Sequence, residues 1–124
     1  MNSKLLRFCA PLLLPLLLVS SRLSLCAAPA PGDLLVQAYT TISAADHDYK
    51  GHRVAAMRHI EAAAKLLGVN LKGDGKGHEK QAVSDAQLRA AQTALQQAAA
   101  VLSGPAQKQV EKAEKELSIA LSIK

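Results

Sequence analysis

Apolar positions recur at helical spacing through most of the chain. Leu88, Ala91, Leu95, Ala98 and Leu102 alternate steps of four and three residues, the stripe of an amphipathic helix that packs at a shallow angle. Ser84-Asp85-Ala86-Gln87 stands before it as a capping box, in which hydroxyl and amide side chains satisfy the first free backbone N–H groups. Val110, Ala113, Leu117, Ala120 and Leu121 form the seam of a last helix. Ser103-Gly104-Pro105 opens that helix, with proline in the first turn where its missing amide does no harm. Leu117, Ile119, Leu121 and Ile123 also alternate as a strand would. The run from Gln107 to Glu116 is strongly helical, and a lone strand has no partner, so the segment reads as helix with Ile119 and Ile123 off the main seam.

Upstream, Leu35, Ala38, Ile42 and Ala45 predict a first helix with Asp33 as its N-cap. Tyr49, Arg53, Ala56, Ile60, Ala63, Ala64 and Leu67 predict a second, ended by Gly68 in the left-handed position after a helix. The polar run Asp46 to His52 separates them, and Asp46 or Asp48 is available as a cap. From Val69 to Val83 the periodicity lapses around Gly73, Gly75 and Gly77, which predicts a long loop. Two helical hairpins joined by that loop predict an all-α fold, a small up-down-up-down four-helix bundle.

The first residues follow a different rule. Lys4 and Arg7 precede an apolar run from Phe8 to Ser20, and small residues follow at Cys26-Ala27-Ala28-Pro29-Ala30. That order is the plan of a secretory signal peptide. The run is short of the roughly 20 residues that a membrane-spanning helix needs, and Pro11 and Pro15 interrupt it. Cleavage after Cys26 or after Ala28 fits better than after Ala30, where Pro31 would follow the cut. Leu23-Ser24-Leu25-Cys26 leaves lipidation at Cys26 as an alternative, although a small residue is expected where Leu25 stands. The expected division is a signal peptide over 1–28, a linker over 29–32 and a helical domain over 33–124, with its Gly-rich loop at 68–83. The expected destination is the periplasm or the exterior, with no membrane span once the signal is removed.

Removing that segment changes the charge. Lys4, Arg7 and Arg22 are three of the 15 basic residues and no acid lies among residues 1–28, so the remainder carries 12 basic against 10 acidic residues, +2 instead of +5. The excess of positive charge belongs largely to the signal and gives no ground for nucleic-acid binding. Cys9 and Cys26 go with it, so the exported domain relies on packing without a disulfide. Its aromatic residues are Tyr39 and Tyr49 alone.

Reactive side chains concentrate at Asp46, His47, Asp48, Tyr49, His52, Arg53 and His59. Histidine with carboxylate suits zinc or copper, and Asp46, His47, Asp48 and His52 are the candidate ligands. His52 and His59 share a helix face but stand ~10 Å apart along the axis, too far for one ion. The competing reading is structural: Asp48 caps the second helix and bonds His52, His59 flanks the core, and Arg53 reaches an acid or the last carbonyls of a helix. Gly73-Asp74-Gly75-Lys76-Gly77-His78 is no phosphate loop, because no Ser or Thr follows the lysine and no strand precedes it. No nucleophile–base set is recognisable, so no catalytic residue and no enzyme activity are expected.

Ala45-Asp46-His47-Asp48-Tyr49-Lys50-Gly51-His52-Arg53, Ser84-Asp85-Ala86-Gln87-Leu88-Arg89 and the ending Glu116-Leu117-Ser118-Ile119-Ala120-Leu121-Ser122-Ile123-Lys124 resemble segments of short exported bacterial proteins of unknown function. The resemblance covers most of the exported chain and implies a signal followed by a compact helical domain; it brings no activity or ligand. The functional expectation is a non-enzymatic binding or interaction module, for an unknown protein partner or for self-association. Its candidate contact residues are Tyr49, Arg53, His59, Ile119 and Ile123. The alternative is a periplasmic metal-binding protein that uses the Asp/His turn.

Overall fold

The computed structural model describes residues 27–45, 49–72 and 81–123, with the side chains of residues 81 and 82 left out. Four helices run over these residues: α1 (Pro31–Ala44), α2 (His52–Leu67), α3 (Gln81–Val101) and α4 (Gly104–Ser122). A single 3₁₀ turn at Tyr49–Gly51 leads into α2. No strand occurs among the described residues.

The predicted seams form the core with these exceptions: Leu67, expected inside, is exposed at the C-terminal end of α2, and Arg53, Leu102 and Leu121 are only half-buried. Leu35, Ala38, Ile42, Ala56, Ile60, Ala63, Leu88, Ala91, Leu95, Ala98, Val110, Ala113, Leu117 and Ala120 are all fully buried. Half of these positions are alanine. Such small side chains let helices approach closely, and the leucines and isoleucines of the same cluster fill the remaining core. The strand-like alternation at the C-terminus does not prevail: α4 continues to Ser122, and Ile123 and Leu121 pack against the core from its flank.

Three local readings are corrected at the helix ends. Asp33 is not the cap of α1; the helix starts two residues earlier at Pro31, behind an extended Ala30. Proline fixes its own φ near the helical value and so sets the start. The residue at the cap position of α2 is Gly51, at φ 86°, in place of the aspartates expected there; Asp46 and Asp48 lie outside the described residues. Ser84 to Gln87 is not a capping box, since α3 already runs from Gln81 and the Ser84 side chain is buried. Gly68 does end α2 as expected, at φ 68°, and the Val69 N–H donates to Ala64 O at 2.9 Å.

The two hairpins are present, and the described contacts fix how they combine. Gly32 stands against Val69, so α1 and α2 are antiparallel. Leu34 shares an apolar notch with Gln97, Ala100 and Val101, so α1 and α3 are antiparallel too. His52 meets Glu116 and His59 meets Gln109 across α2 and α4, while Gln92 meets Ser118 across α3 and α4. The helices stand in the spatial order α1–α3–α4–α2, each antiparallel to both neighbours, with α1 packed chiefly on α3 and α2 chiefly on α4. Helices α2 and α3 thus run the same way on one diagonal, so the all-α four-helix bundle is as expected but the chain order of directions is up, down, down, up in place of up-down-up-down. The 13 residues between Leu67 and Gln81 make this possible. A 16-residue helix is ~24 Å long, and 13 residues of extended chain can span ~43 Å.

Candidate functional site

The turn that starts α2 is conformationally costly. Tyr49 and Lys50 both take positive φ, 49° and 54°, ahead of Gly51. Side chains crowd the backbone there, at about 1–2 kcal/mol for each residue. What holds Tyr49 in place is its burial and its hydroxyl. It is 1% exposed, and its O–H donates to Asp85 Oδ1 of α3 at 2.5 Å. Burial first, and then the bond to the Asp85 carboxylate, raise the phenol well above its ordinary range.

Around this turn stand polar groups from three helices. His52 Nδ1 lies 2.6 Å from Glu116 Oε2 of α4, with both side chains partly exposed. Nδ1 facing a carboxylate is the protonated nitrogen when the ring is neutral, which leaves Nε2 with its lone pair. Arg53 reaches across to α1 and donates from Nη1 to Ile42 O at 3.4 Å, the contact with last-turn carbonyls that the sequence suggested. Seven residues along α2, His59 Nδ1 lies 2.9 Å from Gln109 Oε1. The two histidines thus occupy successive rungs of one antiparallel α2–α4 seam.

The predicted contact residues divide. Ile119 is half-buried on α4 and Ile123 half-buried just after it, and α4 packs on the Tyr49–Gly51 turn. They share an end of the bundle with Lys50, His52, Arg53 and Glu116. Tyr49 is at this end but inside the fold, where it anchors the turn and offers no surface. His59 lies about two helical turns away along the seam. Asp46, His47 and Asp48, like His78 and the three loop glycines, fall outside the described residues. Among the described residues no three His, Cys, Asp or Glu side chains gather closely enough to hold a metal ion.

Sequence reasoning missed Glu116, Asp85, Gln109 and Glu61. The last accepts from the Tyr39 hydroxyl at 2.7 Å across the α1–α2 seam, and burial with this bond pushes the Tyr39 phenol up to about 12. All four lie on helix flanks beside the apolar stripe. Their partners are 22 to 64 residues away, and no local pattern announces such pairs. The serine hydroxyls of α4 donate within their own helix, Ser118 to Glu114 O and Ser122 to Ile119 O, while Ser118 Oγ also accepts from Gln92 of α3.

Comparison with known proteins adds no relative: no family model, no curated protein and no solved structure matches the chain.

Proposed function

We propose that this chain is an exported, non-enzymatic helical module that captures a partner at the turn end of its bundle. The carrying observation is that Lys50, His52, Arg53 and Glu116 stand at the same end as Ile119 and Ile123. A polar cluster beside half-exposed isoleucines is the composition of a small contact surface, with apolar anchors and a charged rim. The α2–α4 seam and the buried Tyr49 keep that surface rigid, which lowers the cost of binding. The test is cross-linking in the exported fraction of cells making the native chain or an Ile119→Ser, Lys50→Glu version. A cross-linked species lost from the variant, with helical circular dichroism unchanged, supports the reading. The same species from both chains, or none from either, refutes it. N-terminal sequencing of that exported fraction tests the signal, with a new terminus expected at Ala27 or Pro29.

A second reading, metal binding through the Asp/His turn, draws on the Glu116–His52 contact. A carboxylate on Nδ1 fixes the tautomer and orients Nε2 as a ligand, the arrangement that commonly supports metal-bound histidine. Zinc or copper is the matching ion, with Asp46, His47 and Asp48 as the remaining donors.

A further inference from the structure

The charges of the α2–α4 layer are sorted by side. Glu61 accepts from Tyr39 on the α1 flank of α2, and Glu116 is held by His52 at the α2–α4 seam. Glu111 and Glu114 stand seven and four residues before Ser118, which meets Gln92 of α3, so both lie on the α3 flank of α4. The cations go the other way. Lys112 stands three residues after Gln109 and four before Glu116, on the side of α4 that meets α2. Lys108 and Lys115 continue its stripe in both directions. The two histidine pairs set the register, which puts Arg58 level with Val110, between Lys108 and Lys112. All four cations are exposed, and none is in an ion pair among the described residues. Leu66 lies seven residues after His59, on the same side of α2, and is 56% exposed at one end of this strip.

We propose that this strip lies on a membrane surface rich in anionic phospholipid. Its single sign carries the argument: the acids of both helices are bonded or turned to other flanks, so Arg58, Lys108, Lys112 and Lys115 face outward together. Charge of one sign beside an exposed leucine suits a headgroup layer, which offers phosphates and an apolar boundary just below them. An acidic protein partner would call for anchors seated in pockets. Three of these four cations are lysines on long flexible stems, which suit a laterally mobile layer of phosphates. A nucleic-acid strand would call for exposed rings to stack on its bases, and Tyr39 and Tyr49 are both buried. None of the four cations belongs to the turn-end cluster, so either proposal stands without the other.

The experiment is co-sedimentation of the purified protein with vesicles of equal parts phosphatidylglycerol and phosphatidylcholine, beside vesicles of phosphatidylcholine alone, at low salt. The wild type is expected to partition more strongly onto the anionic vesicles. Each cation contributes about fivefold, so Arg58→Gln with Lys112→Gln is expected to weaken that partition about 25-fold with helical circular dichroism unchanged. Arg89→Gln removes a cation from α3 and is expected to leave it unchanged. A wild type that does not distinguish the two kinds of vesicle overturns the proposal, as does a double variant that partitions like the wild type. An Arg89→Gln loss equal to that of Lys112→Gln alone overturns it too, since net charge and not this strip would then be at work. A short DNA duplex is the second probe: binding to it, without binding to vesicles, that the double variant loses assigns the strip to nucleic acid and overturns the membrane. If the double variant fails to fold, Lys108→Gln with Lys115→Gln decides by the same comparison.

Discussion

The two tyrosines make the fold sensitive to alkali in a way that one titration can read. Both phenols are buried and both donate to a carboxylate, Tyr39 to Glu61 and Tyr49 to Asp85. Ionising either one puts a second negative charge against that carboxylate and removes the donated proton. Tyr39 is pushed from 10.0 to about 12, and Tyr49 is raised as well. A raised folded value means that the native state holds its proton longer than the unfolded chain does. The stabilisation is therefore fully present below pH 10, where both states are protonated, and is lost as pH climbs towards 12. For Tyr39 the two-unit difference corresponds to about 3 kcal/mol at most, and Tyr49 adds in the same direction. Against a stability of about 5–10 kcal/mol for a domain of this size, the two together bring the bundle close to unfolding. Phenolate absorbance is the assay, followed in parallel with far-ultraviolet circular dichroism; the chain has two Tyr and no Trp, so no other residue contributes. The phenolate signal should appear late and together with helix loss. Tyr39→Phe should halve it and leave a single transition belonging to Tyr49. If half of the signal develops around pH 10 while the helical signal is intact, one phenol is free, and the pairing described here is wrong.

Lys50→Gly should stabilise the bundle by about 1 kcal/mol in urea unfolding, because an exposed lysine at φ 54° gains nothing from its side chain and glycine tolerates that conformation. Leu95→Ala, in a fully buried seam already rich in alanine, should cost about 2–5 kcal/mol by the same measurement. Replacing residues 69–80 with a four-residue turn should abolish the monomeric fold, seen as loss of cooperative melting or as a swapped oligomer. Four residues span at most ~14 Å, less than the ~24 Å length of α2 that separates the joined ends. Elemental analysis of the purified protein beside His52→Ala decides the metal reading: stoichiometric zinc or copper lost in the variant supports it, and a metal-free wild type that takes up neither ion refutes it.

The helices and their buried faces were legible because each is written locally. Leu88, Ala91, Leu95 and Ala98 repeat at the period that a helix turns through, so both the element and its inward side follow from spacing alone. Gly68 was legible for the same reason, as a glycine placed where a helix needs a left-handed residue. The beginnings of α1 and α3 were misread because polar residues near a helix start serve more than one purpose. Asp33 lies inside the first turn without capping it, and Asp85 receives a tyrosine proton from a different segment. At the turn end, the position of His52 could be read but Glu116 as its partner could not, since the two meet only once α2 and α4 are packed. The direction of the second hairpin depended on loop length. A loop of 13 residues permits either order, and the choice falls to which buried faces fit together.

An alanine-rich core also explains why so many polar side chains here cross from one helix to the next. Where half of the buried positions carry only a methyl group, the helices sit close and the flanking residues come within reach of each other. Tyr39 with Glu61, Tyr49 with Asp85, His52 with Glu116, His59 with Gln109 and Gln92 with Ser118 each bridge two elements in this way. Such half-exposed pairs add modestly to stability one by one. They specify register more sharply than alanines do, because an apolar seam shifted by a helical turn still buries apolar groups, whereas a shifted His52 loses Glu116 as His59 loses Gln109. The flanks are thereby occupied with holding the bundle together. At the turn end the His52–Glu116 pair fixes the α2–α4 register at the same end of the bundle as the half-buried Ile119 and Ile123.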